Sequence, residues 1–173
     1  LELGDIGRYC EKHGPLPAAD AITVGLQALE ALAHAHGTGP GGTIHRDFKP
    51  SNLLLAAAGP AWSVKVADFG LSKNLDELLH VGLSRHDWWY GTLEFMPPEQ
   101  FHRFSQLDHR ADLFSLAATL YWLLTGRYVY AGPSRDAREE AVKAGRVTPI
   151  TAHGVSVPPG LCRVLHRALS ADP

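Results

Sequence analysis

The stretch His45-Arg46-Asp47-Phe48-Lys49-Pro50-Ser51-Asn52, followed downstream by Asp68-Phe69-Gly70, decides how the rest of the chain is read. It sets a carboxylate, a lysine and an amide on one short loop, and a second carboxylate on a turn soon after. Immediately outward, Leu53-Leu54-Leu55 and Val64-Lys65-Val66 read as two short strands joined through Gly59-Pro60, a small hairpin. On the N-terminal side, residues 17–36 read as a helix. Ile22, Leu26, Leu29, Leu32 and Ala33 recur at helical spacing, Pro17 suits a first turn and Gly37 ends it. On the C-terminal side, residues 112–124 are apolar nearly all round, as a central buried helix would be, with Gly126 as the stop. Residues 71–98 show no clean period and read as a long ordered loop. A moderately charged helix over about 134–144 and a last helix from near Pro159, carrying Leu161, Val164, Leu165 and Leu169, complete the set. Helices far outweigh strands.

The bulk properties bound the function. With 173 residues the chain is one domain's worth or less. Its 45% hydrophobic and 20% charged content are those of an ordinary globular protein. A net charge of −2, from 16 basic and 18 acidic residues, gives no electrostatic case for nucleic acid. The longest apolar run, residues 113–124, is too short for a bilayer, and no secretory signal is evident. Cys10 and Cys162 lie far apart and form neither a metal pair nor a disulfide framework, so a reducing cytoplasm is the expected setting. The chain opens on Leu and closes on Pro, and reads as cut at both ends.

Phosphoryl transfer from a nucleotide needs the groups of the opening stretch. One group takes the acceptor's proton, one cation steadies the moving phosphoryl, and two oxygen ligands hold magnesium. A lone Asp in a polar loop would more simply cap a turn; five blocks in order argue otherwise. These are residues 45–52, Asp68-Phe69-Gly70, Gly91-Thr92 with Met96-Pro97-Pro98-Glu99, Asp112 with Phe114-Ser115, and Arg167. Together they resemble the C-terminal lobe of a eukaryotic-like (Hanks-type) serine/threonine protein kinase. The fold so implied is α+β but mostly α: a helical bundle around a buried central helix, with a small β-hairpin beside the catalytic loop. On that resemblance residues 1–5 are a hinge, 44–52 the catalytic loop, 68–99 the activation segment and 112–124 the central helix, all within one partial kinase domain over 1–173.

The resemblance also implies roles. Asp47 is the catalytic carboxylate, and Lys49 neutralises charge on the transferring phosphoryl of ATP. Asn52 and Asp68 bind magnesium, with manganese as a substitute. Glu2 and Asp5 lie in the hinge, where Asp5 either reaches the ribose or caps a helix. His45 resembles the family's hydrophobic-spine member rather than an acid or base, Phe69 packs beneath the site, and Gly70 permits the turn. Arg46 marks kinases whose activation loop is held by a phosphate, with Ser84 as the expected site of that modification. Thr92 bonds the catalytic Asp and Lys. Glu99 and Arg167 form a buried ion pair. Asp112 accepts backbone hydrogen bonds from the catalytic loop and holds Arg46 and Asp47. The implied partners are ATP and a protein serine or threonine, with no nucleic acid and no transmembrane segment in this chain. The implied location is cytoplasmic, including the cytoplasmic side of a membrane-anchored protein.

Three features point elsewhere and are set aside. Gly37-Thr38-Gly39-Pro40-Gly41-Gly42 matches G-x-G-x-x-G, but it follows a helix and Pro40 has no N–H for a phosphate. His34 and His36 are two apart on a helix, do not share a face, and read as helix-end packing. Trp88-Trp89-Tyr90 lacks the basic interleaving of a base-stacking platform. Departures from the kinase pattern are Phe48, Pro97 and the Gly-rich insertion. The glycine-rich loop, strand lysine and helix glutamate of an N-terminal lobe are not in this sequence, so the segment alone is expected to be inactive and poorly soluble. The rival readings are a catalytically inactive pseudokinase or scaffold and, further off, a small-molecule phosphotransferase.

Overall fold

The computed structural model describes residues 4–38, 42–59, 62–69, 93–102 and 107–170. Helix α1 (Ile6–His13) starts at Asp5, whose carboxylate accepts a hydrogen bond from the Arg8 amide at 2.9 Å, and stops at Gly14. Helix α2 (Ala18–His36) follows within a residue of the expected bounds. Strands β1 (Leu53–Ala57) and β2 (Ser63–Val66) pair antiparallel as Leu53↔Val66, Leu54↔Lys65 and Leu55↔Val64, with a bulge before Ala57↔Ser63. A short helix α3 (Glu99–His102) precedes the long α4 (Arg110–Thr125). Helices α5 (Arg135–Lys143) and α6 (Pro159–Ala168) complete the described elements. Among the described residues no helix is long and apolar enough to cross a membrane.

Helix α4 is the hub. Phe114, Leu116, Ala117, Ala118, Tyr121, Leu123 and Leu124 are all buried, because α2, α6 and the turn over Leu93–Phe95 pack around it. It ends at Gly126, where φ is +65° and the amide closes on the Trp122 carbonyl at 2.8 Å. A left-handed residue is the usual helix stop, and only glycine adopts it without a Cβ penalty.

The buried face of α2 is not the expected one. Ala21, Val24, Gly25, Ala28 and Leu32 face the core, whereas Leu26 and Leu29 are 57% and 41% exposed. The reason is proximity. A Cβ on Gly25 would come 3.0 Å from both Leu120 methyl carbons, so α2 meets α4 through its small residues and its larger leucines turn outward. Gln27 in the same helix clamps the hairpin: its amide donates to the Trp62 carbonyl at 2.9 Å, and its oxygen accepts the Val64 amide at 3.0 Å. Helix α6 shows a smaller discrepancy. Leu165 and Leu169 are buried as expected, but Val164 is 63% exposed.

Candidate active site

The 45–52 loop is held by its backbone. Arg46 has a left-handed φ of +65°, which costs a non-glycine residue about 1–2 kcal/mol. Both flanking peptide groups are pinned against that cost. The Arg46 amide donates to Asp112 Oδ1 at 2.8 Å, and its carbonyl accepts from Gln100 Nε2 at 2.9 Å. Pro50 then opens a 3₁₀ turn over Pro50–Asn52, closed by the Asn52 amide on the Lys49 carbonyl at 3.0 Å.

His45 is fully buried, and its bonds fix its proton. Nδ1 accepts the Asp47 amide at 3.3 Å, so the proton resides on Nε2, which donates to the Ala67 carbonyl at 2.8 Å. The ring is therefore a strut, edge-on to Phe48 with centroids 5.6 Å apart and tilted against Phe69 at 4.8 Å.

The two carboxylate oxygens of Asp47 differ. Its Oδ2 accepts from Lys49 Nζ at 2.8 Å, while Oδ1 is buried with no hydrogen-bond partner. A buried, unpartnered carboxylate oxygen costs free energy unless something arrives to donate to it. Asn52 is buried, and its Nδ2 donates to the Asp47 carbonyl at 2.8 Å. That bond turns the Asn52 side-chain oxygen into the atom left over for a cation. Asp68 follows Ala67, whose amide donates to the Asn52 carbonyl at 2.9 Å and whose carbonyl holds His45. Asp68 itself is exposed and left-handed, with φ of +63°. Strain of this kind collects at functional turns, where the surroundings over-determine it.

Beneath the loop lies Asp112, fully buried. Its Oδ2 accepts the His45 amide at 2.8 Å and the His36 Nε2–H at 2.7 Å, and its Oδ1 accepts the Arg46 amide. The carboxylate thus ties the end of α2 and the loop to α4. His36 does more than the packing expected of it, and its removal leaves Asp112 one donor short. His36→Ala should destabilise the complete protein by about 1–3 kcal/mol. Denaturant melts check this. Gly42 guards the same corner. Its φ is +69°, and a Cβ there would run into the His36 carbonyl oxygen. Gly42→Ala is therefore expected to cost about 1–3 kcal/mol, read as a lower urea midpoint at unchanged slope.

Of the residues singled out in the sequence, His45, Arg46, Asp47, Lys49, Asn52 and Asp112 join one hydrogen-bonded network, with Asp68 and Phe69 on the adjoining turn. Asp5 takes the capping alternative, its second oxygen 3.4 Å from Arg8 Nε. Its neighbour Gly4 accepts the Leu55 amide at 2.9 Å, which lays the start of the chain against β1. Glu2, Gly70, Ser84 and Thr92 fall outside the described residues. One expectation is corrected: Glu99 and Arg167 do not pair. Arg167 is exposed on α6, two positions from both Leu165 and Leu169, which take the inward face. Burial raises the Glu99 carboxyl above its ordinary value, and the opposing cation is Arg110. Sequence reading also missed Gln100, for which a lone Gln after Glu99 offers no signal.

The donor set fits magnesium, which takes hard oxygen ligands and commonly only one or two from protein. Asn52 and Asp68 each carry an oxygen of that kind. Among the described residues no group of three or more His, Cys, Asp or Glu offers a richer metal site.

Comparison with known proteins places this geometry in context. A family model of the protein kinase domain matches residues 1–167. Serine/threonine-protein kinase pkn3 of Myxococcus xanthus is 34% identical over 98% of this chain and 31% of its own length. Serine/threonine-protein kinase PknB of Mycobacterium leprae (strain TN) is 33% identical over 92% of this chain and 24% of its own. The chain thus spans under a third of each of these relatives. A crystal structure of Rad53 1-466 in complex with AMP-PNP superposes with a TM-score of 0.73 at 24% identity, over 98% of this chain and 40% of that one, a likeness of fold.

Proposed function

Because the chain belongs to the protein kinase domain family, we propose that it is the mostly helical C-terminal lobe of a serine/threonine protein kinase, with ATP as donor and a protein hydroxyl as acceptor. The observation that carries this reading is the state of Asp47: one oxygen engaged by Lys49 at 2.8 Å, the other buried and waiting for a donor. In the reaction, Asp47 Oδ1 receives the hydrogen of a serine or threonine hydroxyl and aims its oxygen at the γ-phosphorus. A new O–P bond forms as the bond to the departing diphosphate oxygen breaks. Lys49, held beside Asp47, faces the charge spread over the transferring group. Asn52 and Asp68 would hold magnesium, which when bound neutralises phosphate charge. Asp112, through His45 and Arg46, keeps Asp47 in place, so the protein's contribution is positioning and electrostatics with no covalent intermediate.

In this reading residues 1–5 form the hinge, with Glu2 on the nucleotide side and Asp5 capping α1. Residues 44–52 are the catalytic loop, 68–99 the activation segment and 112–124 the central helix. Ser84 is the activating modification site, held by Arg46, and Thr92 braces the Asp47–Lys49 pair. A reducing cytoplasm suits the two free cysteines. The test is direct. The complete protein, supplied with ATP, magnesium and a mixture of serine-, threonine- and tyrosine-containing peptides, should yield phosphoserine and phosphothreonine by mass spectrometry. Phosphotyrosine alone, or no phosphopeptide at all, would overturn the proposal.

A further inference from the structure

The peptide group between Arg46 and Asp47 is held from two directions. Its carbonyl accepts from Gln100 Nε2 at 2.9 Å, and its amide donates to His45 Nδ1 at 3.3 Å. The preceding peptide group is fixed separately, by the Arg46 amide on Asp112 Oδ1 at 2.8 Å. Arg46 stands between the two with φ at +65°, a conformation that a non-glycine residue tends to leave when its restraints are loosened. A peptide group is planar, so a tilt of this one turns the N–Cα bond of Asp47 and swings its carboxylate. Asp112 lies in α4 and Gln100 in the first turn of α3, so the direction in which Asp47 points depends on two separate elements.

Gln100 is itself firmly placed. It is 6% exposed, and its backbone amide closes on the Pro97 carbonyl at 3.1 Å. The stretch before it is docked at two further points. The buried Tyr130 hydroxyl donates to the Met96 carbonyl at 3.1 Å, and Glu94 lies 3.7 Å from the Arg138 guanidinium on α5. A side-chain amide on such a base restrains the carbonyl it meets, whereas one on a loose loop would simply follow it. We propose that Gln100 is a positioning residue for phosphoryl transfer: it holds the Arg46–Asp47 peptide so that Asp47 Oδ1 meets the acceptor hydroxyl. The inference rests on the kinase reading above. It gives the docked stretch over residues 93–100 a hold on Asp47 that runs through the backbone.

Three substitutions in the complete protein separate this role from simple packing. Gln100→Met keeps the side-chain length and removes the donor, and Gln100→Glu keeps the shape but, when ionised, only accepts. Gln100→His returns an N–H, because Nε2 of the ring lies as many bonds from the backbone as Nε2 of the amide. With one fixed acceptor peptide, Gln100→Met and Gln100→Glu should each lower kcat by about ten- to a hundredfold. KM for ATP and the affinity for a non-hydrolysable ATP analogue should stay within about twofold of the parent. Gln100→His should recover most of the lost kcat. Circular dichroism at the assay temperature gives the folded fraction of each variant. Parental kcat in the Met and Glu variants, a loss no larger than the unfolded fraction, or a His variant no more active than the Met variant would overturn the inference while leaving the kinase reading standing. A parent protein that phosphorylates no peptide would instead overturn the kinase reading, and this inference with it.

Discussion

Asp47→Asn in the complete protein should abolish measurable phosphoryl transfer, lowering kcat by about 10²–10⁴-fold, while leaving the melting temperature nearly unchanged. The substitution keeps volume and shape, so the loop remains in place. What it removes is the charge that holds Lys49 Nζ at 2.8 Å and the basic oxygen that has no other partner. An amide in the same position can accept a hydrogen bond but cannot take the proton. Nucleotide binding should survive, because Asn52 and Asp68 are untouched. Transfer within about tenfold of the parent rate would mean that Asp47 is not the proton acceptor.

The second large effect is expected at Asp112, and here it falls on stability and activity together. The carboxylate satisfies His36 Nε2–H and the amides of His45 and Arg46 in a fully buried position. Asp112→Asn replaces one of the two accepting oxygens by an NH₂ group that faces a donor. At least one buried N–H is orphaned, and every surviving bond now goes to a neutral acceptor. The expected loss is about 3–5 kcal/mol, a large part of the roughly 5–15 kcal/mol that holds a domain together. Urea denaturation should show the midpoint falling sharply. Kinetics at low temperature, where the variant stays folded, should still show a reduced kcat, because the left-handed Arg46 backbone has lost a pin. A variant of parental stability would mean that the three donors find other partners readily, and that α4 does not anchor the loop.

Much of this architecture could be read from the sequence, for physical reasons that also explain where reading failed. Helix α4 was evident because it is apolar on every side, so no choice of face was needed. The hairpin was evident because two β-branched or leucine runs flank a Gly-Pro break. The loop was evident because its polar residues are dense and local, and their mutual bonds span only two to five positions, as in Lys49 to Asp47 and Asn52 to the Asp47 carbonyl.

Contacts across long separations were not readable in the same way. His36 lies 76 positions from Asp112, and nothing in a helix ending His-Ala-His tells which ring will meet a carboxylate. The face of α2 was misjudged because periodicity weighs large apolar side chains. Close helix contact is decided instead by where side chains are small, as Gly25 against Leu120 shows. The pairing of Arg167 with Glu99 is implied by the resemblance alone, but its neighbours Leu165 and Leu169 claim the inward face of α6 and leave the guanidinium outside. For Asp5, chain position alone could not choose between a ribose contact and a cap; the amide of Arg8, three residues on, takes the carboxylate.

The arrangement stands or falls on Asn52 and Asp68 serving one magnesium–nucleotide site beside Asp47. Calorimetric titration of a non-hydrolysable ATP analogue into the complete protein, with and without magnesium, measures this independently of turnover. Magnesium should tighten binding by about tenfold or more in the parent protein, and Asn52→Ala and Asp68→Asn should each remove most of that gain. Equal affinities with and without the metal in all three proteins would rule out a shared metal site at these two residues, and with it the catalytic role assigned to the loop.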